Sequence, residues 1–195
     1  MSVRLGLFYP NARAIHTISR AVTARNPDVL DLKNHVAVAR TCERLGLDYL
    51  FMADAWGAYG PRTSDLEVQD PMIWPPILAA ALAAVTEKLR FITTLHTSWF
   101  NPLQWVRIGS GLDQLSNGRW GMNIVSGAGF ADSVTGGAQS LSHDARYERA
   151  CEFVDVMTQA WTLKSVDFAG AHFTIKGAVV GPRPVQSPRP SIVSA

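Results

Sequence analysis

The sequence predicts an α/β fold with a parallel sheet covered by helices, and three observations lead there. Short apolar runs recur at residues 4–9, 49–52, 90–94, 119–125 and 192–193. Between them lie stretches whose apolar residues repeat at helical spacing. The two kinds alternate strictly, strand first and strand last, which is the order of consecutive βα units.

The run at 4–9 (RLGLFY), closed by Pro10, reads as a buried strand. Residues 11–30 have no period and contain Asn26-Pro27, so they read as a loop. A helix is expected from Asp31, whose carboxylate suits an N-cap, with Leu32, Val36, Ala39 and Cys42 inward and Gly46 as its stop. The strand at 49–52 (YLFM) follows, then an aromatic, polar loop over 53–74. Pro75-Pro76 leads into an Ala-rich helix at 77–85, and 90–94 (RFITT) is the third strand. Asn101-Pro102 opens a helix with a capping side chain and a proline at its first position. Its inner stripe is Trp105, Ile108, Leu112 and Leu115. After the turn at 116–118 comes the fourth strand, 119–125. Residues 126–142 are rich in Gly, Ala and Ser and read as a loop whose glycines suit a moving lid. The clearest period belongs to a helix at 144–161, with Tyr147, Ala150, Val154, Met157 and Trp161 as its stripe. A hairpin is expected at 166–180 and a proline-rich connector at 181–190, so residues 164–190 form an insertion before the fifth strand.

Such a chain closes into a (β/α) barrel or opens into a doubly wound sheet. The first strand is followed by Tyr9-Pro10-Asn11-Ala12 rather than a glycine-rich turn, which argues against a dinucleotide fold. An eight-unit barrel usually takes ~250 residues. The 195 residues therefore read as a single domain holding about half of one, β1–β5, and as a piece of a longer protein. Five strands leave raw edges, and Leu5, Leu7, Phe91, Trp120 and Met122 are expected to face water.

Composition excludes several classes. With 47% hydrophobic and 17% charged residues the chain is an ordinary globular one, not a disordered one. The net charge of +2 comes from scattered residues, so a nucleic-acid partner is not expected. No apolar run approaches the ~20 residues of a membrane span, and residues 1–9 lack a secretory signal, so the expected location is the cytoplasm. Cys42 and Cys151 stand at apolar helical positions and read as two reduced, buried thiols. The five histidines are dispersed, so no metal site is expected.

In either fold chemistry gathers at the C-terminal ends of the strands. There stand Asp54, Ala55 and Trp56 after strand two, and Thr94, His96, Ser98 and Trp99 after strand three. Asn123, Ser126 and Gly127 end strand four, and His143, Asp144, Arg146 and Tyr147 open the last helix. No G-x-S-x-G elbow occurs. Hydrogen-bonding groups between aromatic walls suit a planar organic cofactor. Trp56, Trp74 and Trp99 read equally as core or as substrate wall; Trp105, Trp120 and Trp161 read as packing. His96 and His143 are candidates for proton transfer, although a structural role is commoner for such histidines.

The run 116–127 (SNGRWGMNIVSG) resembles the fourth-strand signature of the bacterial-luciferase-like flavin monooxygenases. The pair Arg146-Tyr147 opening a helix that ends in Trp161 is similar to the same family. So are Ala79 to Thr86, the spacing Phe168-x-Gly170-x-x-Phe173-x-Ile175 and the proline-rich connector. The resemblance runs from residue 4 to 195 and is nearest to two-component enzymes that open pyrimidine rings or act on sulfones and heterocycles. It implies a TIM-like (β/α)8 barrel and an FMN-dependent monooxygenase. Reduced FMN would come from a transient partner, a separate reductase, and dioxygen would oxygenate or cleave a small organic substrate. A homo-oligomer is also implied. By resemblance Asn123 and Thr94 are catalytic groups that meet the flavin ring and hold dioxygen against it. Arg146 and Tyr147 bind the phosphate and ribityl chain, and Asp54 and Ala55 lie beside the ring. Trp56, Trp99 and His96 are the candidates for contact with the substrate. Asp132 falls where several relatives carry a glutamate, and the family's phosphate loop after strand five would follow Ala195. Two other readings stand beside this one: a deazaflavin-dependent oxidoreductase on the same fold, and a catalytically silent flavin-binding protein.

Overall fold

The computed structural model describes residues 3–9, 11–14, 19–57, 61–127 and 141–194. Asp132, Pro10 and most of the glycine-rich loop lie outside the described residues. The chain divides into two compact units, Met1–Thr94 and Leu95–Ala195, with the boundary inside the third strand.

The N-terminal unit contains β1 (Gly6–Tyr9), α1 (Arg20–Thr23), α2 (Leu32–Arg44), β2 (Tyr49–Met52), α3 (Pro61–Ser64), α4 (Pro75–Ala83) and most of β3 (Arg90–His96). Its strands pair parallel in sequence order, Gly6 with Tyr49 and Tyr49 with Arg90. One sheet face sends Leu50, Met52 and Phe91 against Ala39, Cys42, Leu78 and Leu82 of the helices. Asp31 caps α2 by accepting from the Lys33 N–H at 2.9 Å. Glu43 Oε1 accepts the N–H groups of Glu87, Lys88 and Leu89 at 2.9, 2.6 and 2.9 Å, which fixes the chain as it enters β3.

Several expectations shift here. The buried face of α2 runs through His35, Ala39 and Cys42, while Leu32 is exposed. The helix α4 starts at Pro75, because prolines are tolerated in a first turn that needs no N–H. Short helices α1 and α3 interrupt segments read as loops. The strand β1, read as buried, is largely exposed, with Phe8 at 49%, while Leu7 and the preceding Leu5 face water as the open edge predicts.

The C-terminal unit holds a 3-10 turn (Thr97–Trp99), α5 (Pro102–Leu115), β4 (Trp120–Val125), α6 (His143–Thr162), β5 (Val166–Ala169), β6 (Thr174–Ala178) and β7 (Ser191–Ser194). Gly121 pairs with Ser191 and Asn123 with Val193, so β4 and β7 are parallel. The strands β5 and β6 form the expected antiparallel hairpin. Asn101 Oδ1 accepts from the Leu103 N–H at 2.9 Å, and Gln104 Oε1 accepts from the Asn101 N–H at 3.3 Å, which caps α5. Between α5, α6 and β4 the rings of Trp120 and Trp161 meet edge to face at 6.5 Å. Trp161 Nε1 donates to Ser110 Oγ at 3.0 Å.

The connector is tied down along its length. Buried Asp113 accepts from the N–H of Val185 and of Gln186 at 2.6 and 2.9 Å, and from Gln186 Nε2 at 2.6 Å. Arg183 donates to the carbonyls of Ala160 and Leu163. Phe91, Trp120 and Met122, expected to face water, are instead buried. Phe91 packs among helix side chains of its own unit, and Trp120 packs on Trp161 of α6. Leu115 and Tyr147 are exposed, because α5 and α6 turn other residues inward. Cys151 is exposed rather than buried. No helix among the described residues is long and apolar enough to cross a membrane.

Candidate functional site

In the N-terminal unit the rim after β2 is an aromatic cluster. Asp54 Oδ2 accepts from Trp74 Nε1 at 3.2 Å. The rings of Trp56 and Trp74 lie 6.0 Å apart at 58°. Ala55, between Asp54 and Trp56, is half-buried. Thr94, buried on β3, donates its hydroxyl hydrogen to the Met52 carbonyl at 2.9 Å. With that hydrogen committed, Thr94 meets a ligand as an acceptor.

A second polar device stands beside this rim. His35 Nε2 donates to the Val29 carbonyl at 2.7 Å, which leaves Nδ1 to accept from the Tyr9 hydroxyl at 2.5 Å. Burial first, and Cys42 second, push the Tyr9 phenol up to about 12. It lines a cavity of about 330 Å³ with Asn11, Val29, Asn34 and His35. Nothing in the sequence pattern marked this pair; the departure of His35 from a polar position was visible only once the face of α2 was known.

In the C-terminal unit His96 is buried and lies within β3, two residues further along the strand than expected. Trp99 is half-buried on the 3-10 turn that follows. Asn123 sits on β4 at 3% exposure, a polar residue between buried Met122 and half-buried Ile124. Ser142 Oγ accepts from the Ala145 N–H at 3.3 Å and starts α6. The Nε of Arg146, on the first turn, is buried and has no hydrogen-bond partner among the described residues. Tyr147 is exposed, with the His143 ring 4.9 Å away, and His143 pairs with Asp144 at 3.0 Å. A cavity of about 490 Å³ opens between the ends of β4 and β7 and α6, lined by Ser126, Gly127, Tyr147, Cys151, Ile192 and Val193 among others. Its size is that of small-molecule sites.

Two residues missed in the sequence hold this rim. Arg149 donates to the carbonyls of Thr97 and Phe100 and lies over the Phe173 ring at 4.8 Å. Burial lowers its pKa. Glu152, three residues on, accepts from the N–H groups of Ala171, His172 and Phe173 at 2.7, 2.9 and 3.1 Å. The spacing of two charged residues beside a buried helix face was the available signal. Among the described residues no three His, Cys, Asp or Glu side chains form a metal-holding group.

Parallel βα units with polar side chains at the C-terminal strand ends fit the (β/α)-barrel class. The model of the luciferase-like monooxygenase family matches residues 3–195, and the chain belongs to that family. It is 32% identical over 196 aligned positions to nitrilotriacetate monooxygenase component A of Aminobacter aminovorans, covering 85% of this chain and 43% of that protein. A riboflavin lyase structure containing modified FMN and riboflavin superimposes with a TM-score of 0.84 at 28% identity, over 100% of this chain and 50% of the other. A long-chain alkane monooxygenase does so with 0.87 at 25% identity, over 100% and 52%. The chain thus spans about half the length of the relatives it matches, and the fold is that of luciferase-like barrel proteins over that half.

Proposed function

We propose that this chain carries flavin-handling elements of an FMN-dependent monooxygenase that oxygenates or cleaves a small organic substrate. The observation that carries this reading is the buried Nε of Arg146 at the start of α6, which has no hydrogen-bond partner among the described residues. A buried guanidinium nitrogen without a partner is costly. A phosphate oxygen would complete it, and the N-terminal turn of a 20-residue helix adds N–H groups and partial positive charge at the same place.

On this reading Arg146 and Tyr147 hold the phosphate and ribityl chain of FMN. Asp54 and Ala55 lie beside its ring. Thr94 offers an acceptor to a ring N–H, and Asn123 offers an amide to the ring's polar edge. Bound reduced FMN would supply the electrons that activate dioxygen. The chain orients the ring, excludes water with aromatic side chains and hydrogen-bonds the reacting groups. Trp56, Trp99 and His96 face the substrate. The name of the nitrilotriacetate relative, component A, supports a separate reductase as partner. We further propose that the 195 residues act as one domain, in the cytoplasm and as a homo-oligomer.

Titration of the chain with FMN and with riboflavin, read by flavin fluorescence, tests the reading. Arg146→Ala is expected to weaken FMN binding about 10- to 100-fold and riboflavin, which lacks the phosphate, hardly at all. An unchanged preference for FMN overturns the phosphate role. Oxygen uptake with reduced FMN and candidate substrates tests the reaction, and binding without uptake marks a silent flavin-binding protein.

A further inference from the structure

The cavity of about 330 Å³ between the end of β1, residues 26–29 and α2 takes no part in the flavin reading. Tyr9 stands opposite Met52 and Met52 opposite Thr93, so the three share one sheet face, the one that packs on the helices. Thr94 is the next residue along β3 and points to the other face.

The polar groups of this cavity have spent hydrogens and kept oxygens. Tyr9 donates to His35 Nδ1 at 2.5 Å, so its oxygen is left as an acceptor. The phenol, pushed up to about 12 by burial first and Cys42 second, retains that hydrogen at neutral pH. Asn34 Nδ2 donates to the Asp28 carbonyl at 2.9 Å, which leaves its Oδ1. Asn11 is 2% exposed and donates from Nδ2 to the Ile73 carbonyl at 2.6 Å. That bond identifies the oxygen end of the amide. The buried Oδ1 has no hydrogen-bond partner among the described residues. One Asp28 oxygen accepts from the Leu30 N–H at 2.9 Å, and the carboxylate keeps a second. The described lining holds no lysine or arginine. Asp31, accepting from the Lys33 N–H, offsets the positive end of α2. Val29, Ala37 and Val38 supply an apolar wall.

We propose that this cavity binds a small organic ammonium, with its N–H groups on Asn11 Oδ1 and the Tyr9 oxygen, Asp28 as countercharge and a short apolar body against Val29 and Val38. A buried amide oxygen without a donor is costly, and an ammonium brings three hydrogens and no acceptor. A carboxylate in the same place would meet the charge of Asp28 and leave Asn11 Oδ1 unpaired. The site lies on the opposite sheet face from Thr94 and is independent of the flavin reading.

Butylammonium, butanol and butyrate share one body and differ in the head, which carries three hydrogens and a charge, one hydrogen, or none. Each is titrated at neutral pH into ¹⁵N-labelled chain, with and without saturating FMN. The side-chain amide signals of Asn11 and Asn34 and the backbone N–H signals of Val29 and His35 are followed. Butylammonium is expected to move these signals and to bind about three- to tenfold more tightly than butanol, while butyrate does not saturate. Asn11→Gly, which suits the left-handed φ of 47° and removes the oxygen, should erase that preference. Tyr9→Phe should reduce it. Saturating FMN should leave the butylammonium affinity unchanged. Equal binding of butylammonium and butyrate, no saturation by butylammonium below tens of millimolar, or shifts confined to other residues overturns the site and leaves the cavity to water. An unchanged preference in folded Asn11→Gly overturns the role of Asn11. Competition with FMN places the amine on the flavin face and overturns the separate site. The order of the three ligands on the unaltered chain decides the proposal even where a variant fails to fold, and it does so whether or not FMN binds.

Discussion

Glu152 carries no chemistry, yet it decides where a hairpin sits. Burial raises its pKa, while the N–H donors at His172, Ala171 and Phe173 and the charge of His172 outweigh that and leave its carboxyl below the ordinary value of 4.5. A carboxyl depressed in the folded state stabilises fully above its unfolded pKa, and that contribution is lost as pH falls through the folded value. The melting-temperature difference between the unaltered chain and Glu152→Gln is therefore expected to be constant from pH 7 to 5 and to shrink below about 4.5. A difference that grows on acidification contradicts the assignment. At Asn123 the expectation concerns rate: Asn123→Ala should lower substrate-dependent oxygen uptake at least tenfold while FMN affinity changes less than threefold, since an oriented group acts mainly in the transition state. Residue types at the strand ends were readable because barrel sites gather there. The partners of Arg149 and Glu152 were not, because both join segments 19 to 52 positions away, and no local period encodes such a contact.

The helices show what periodicity reports and where it fails. Asp31 and Asn101 were legible as caps because capping is local, and both cap. The stripes were legible only in part. Ala39 and Cys42 are inward as expected, but Leu32 and Leu115, the terminal residues of α2 and α5, and Tyr147 on α6 are exposed. Buried polar residues filled inward positions instead: His35 on α2, Ser110 and Asp113 on α5. On α5, Gly109 faces the Trp120 ring so closely that a Cβ would stand 2.6 Å from it. Alanine there would gain ~1 kcal/mol of helix propensity. Overpacking against two rigid indoles costs ~1–3 kcal/mol. Gly109→Ala is expected to destabilise by ~1 kcal/mol net in urea unfolding, against the propensity trend, and a stabilised variant would mean that Trp120 moves easily.

At the scale of the molecule, parallel pairing followed from the alternation of elements, as β1–β2–β3 and β4–β7 show within their units. What alternation could not give was which face of each strand meets the helices, because strands this short carry almost no period. Phe91 and Trp120 were read as facing water for that reason, whereas they are buried, and β1 is mostly exposed. Leu5→Lys is expected to change unfolding free energy by less than ~0.5 kcal/mol while raising the concentration at which the chain self-associates in sedimentation. A loss of several kcal/mol would mean that Leu5 is covered in solution. The connector before β7 has a different consequence. Its two arginines, Arg183 and Arg189, are each followed by proline, a bond that trypsin cuts poorly. Asp113, Gln186 and Arg183 also clamp the backbone that a protease must draw out to reach it. A segment that looks like an exposed linker should therefore stay whole in limited tryptic digestion, so that fragments ending in β7 keep their link to the hairpin.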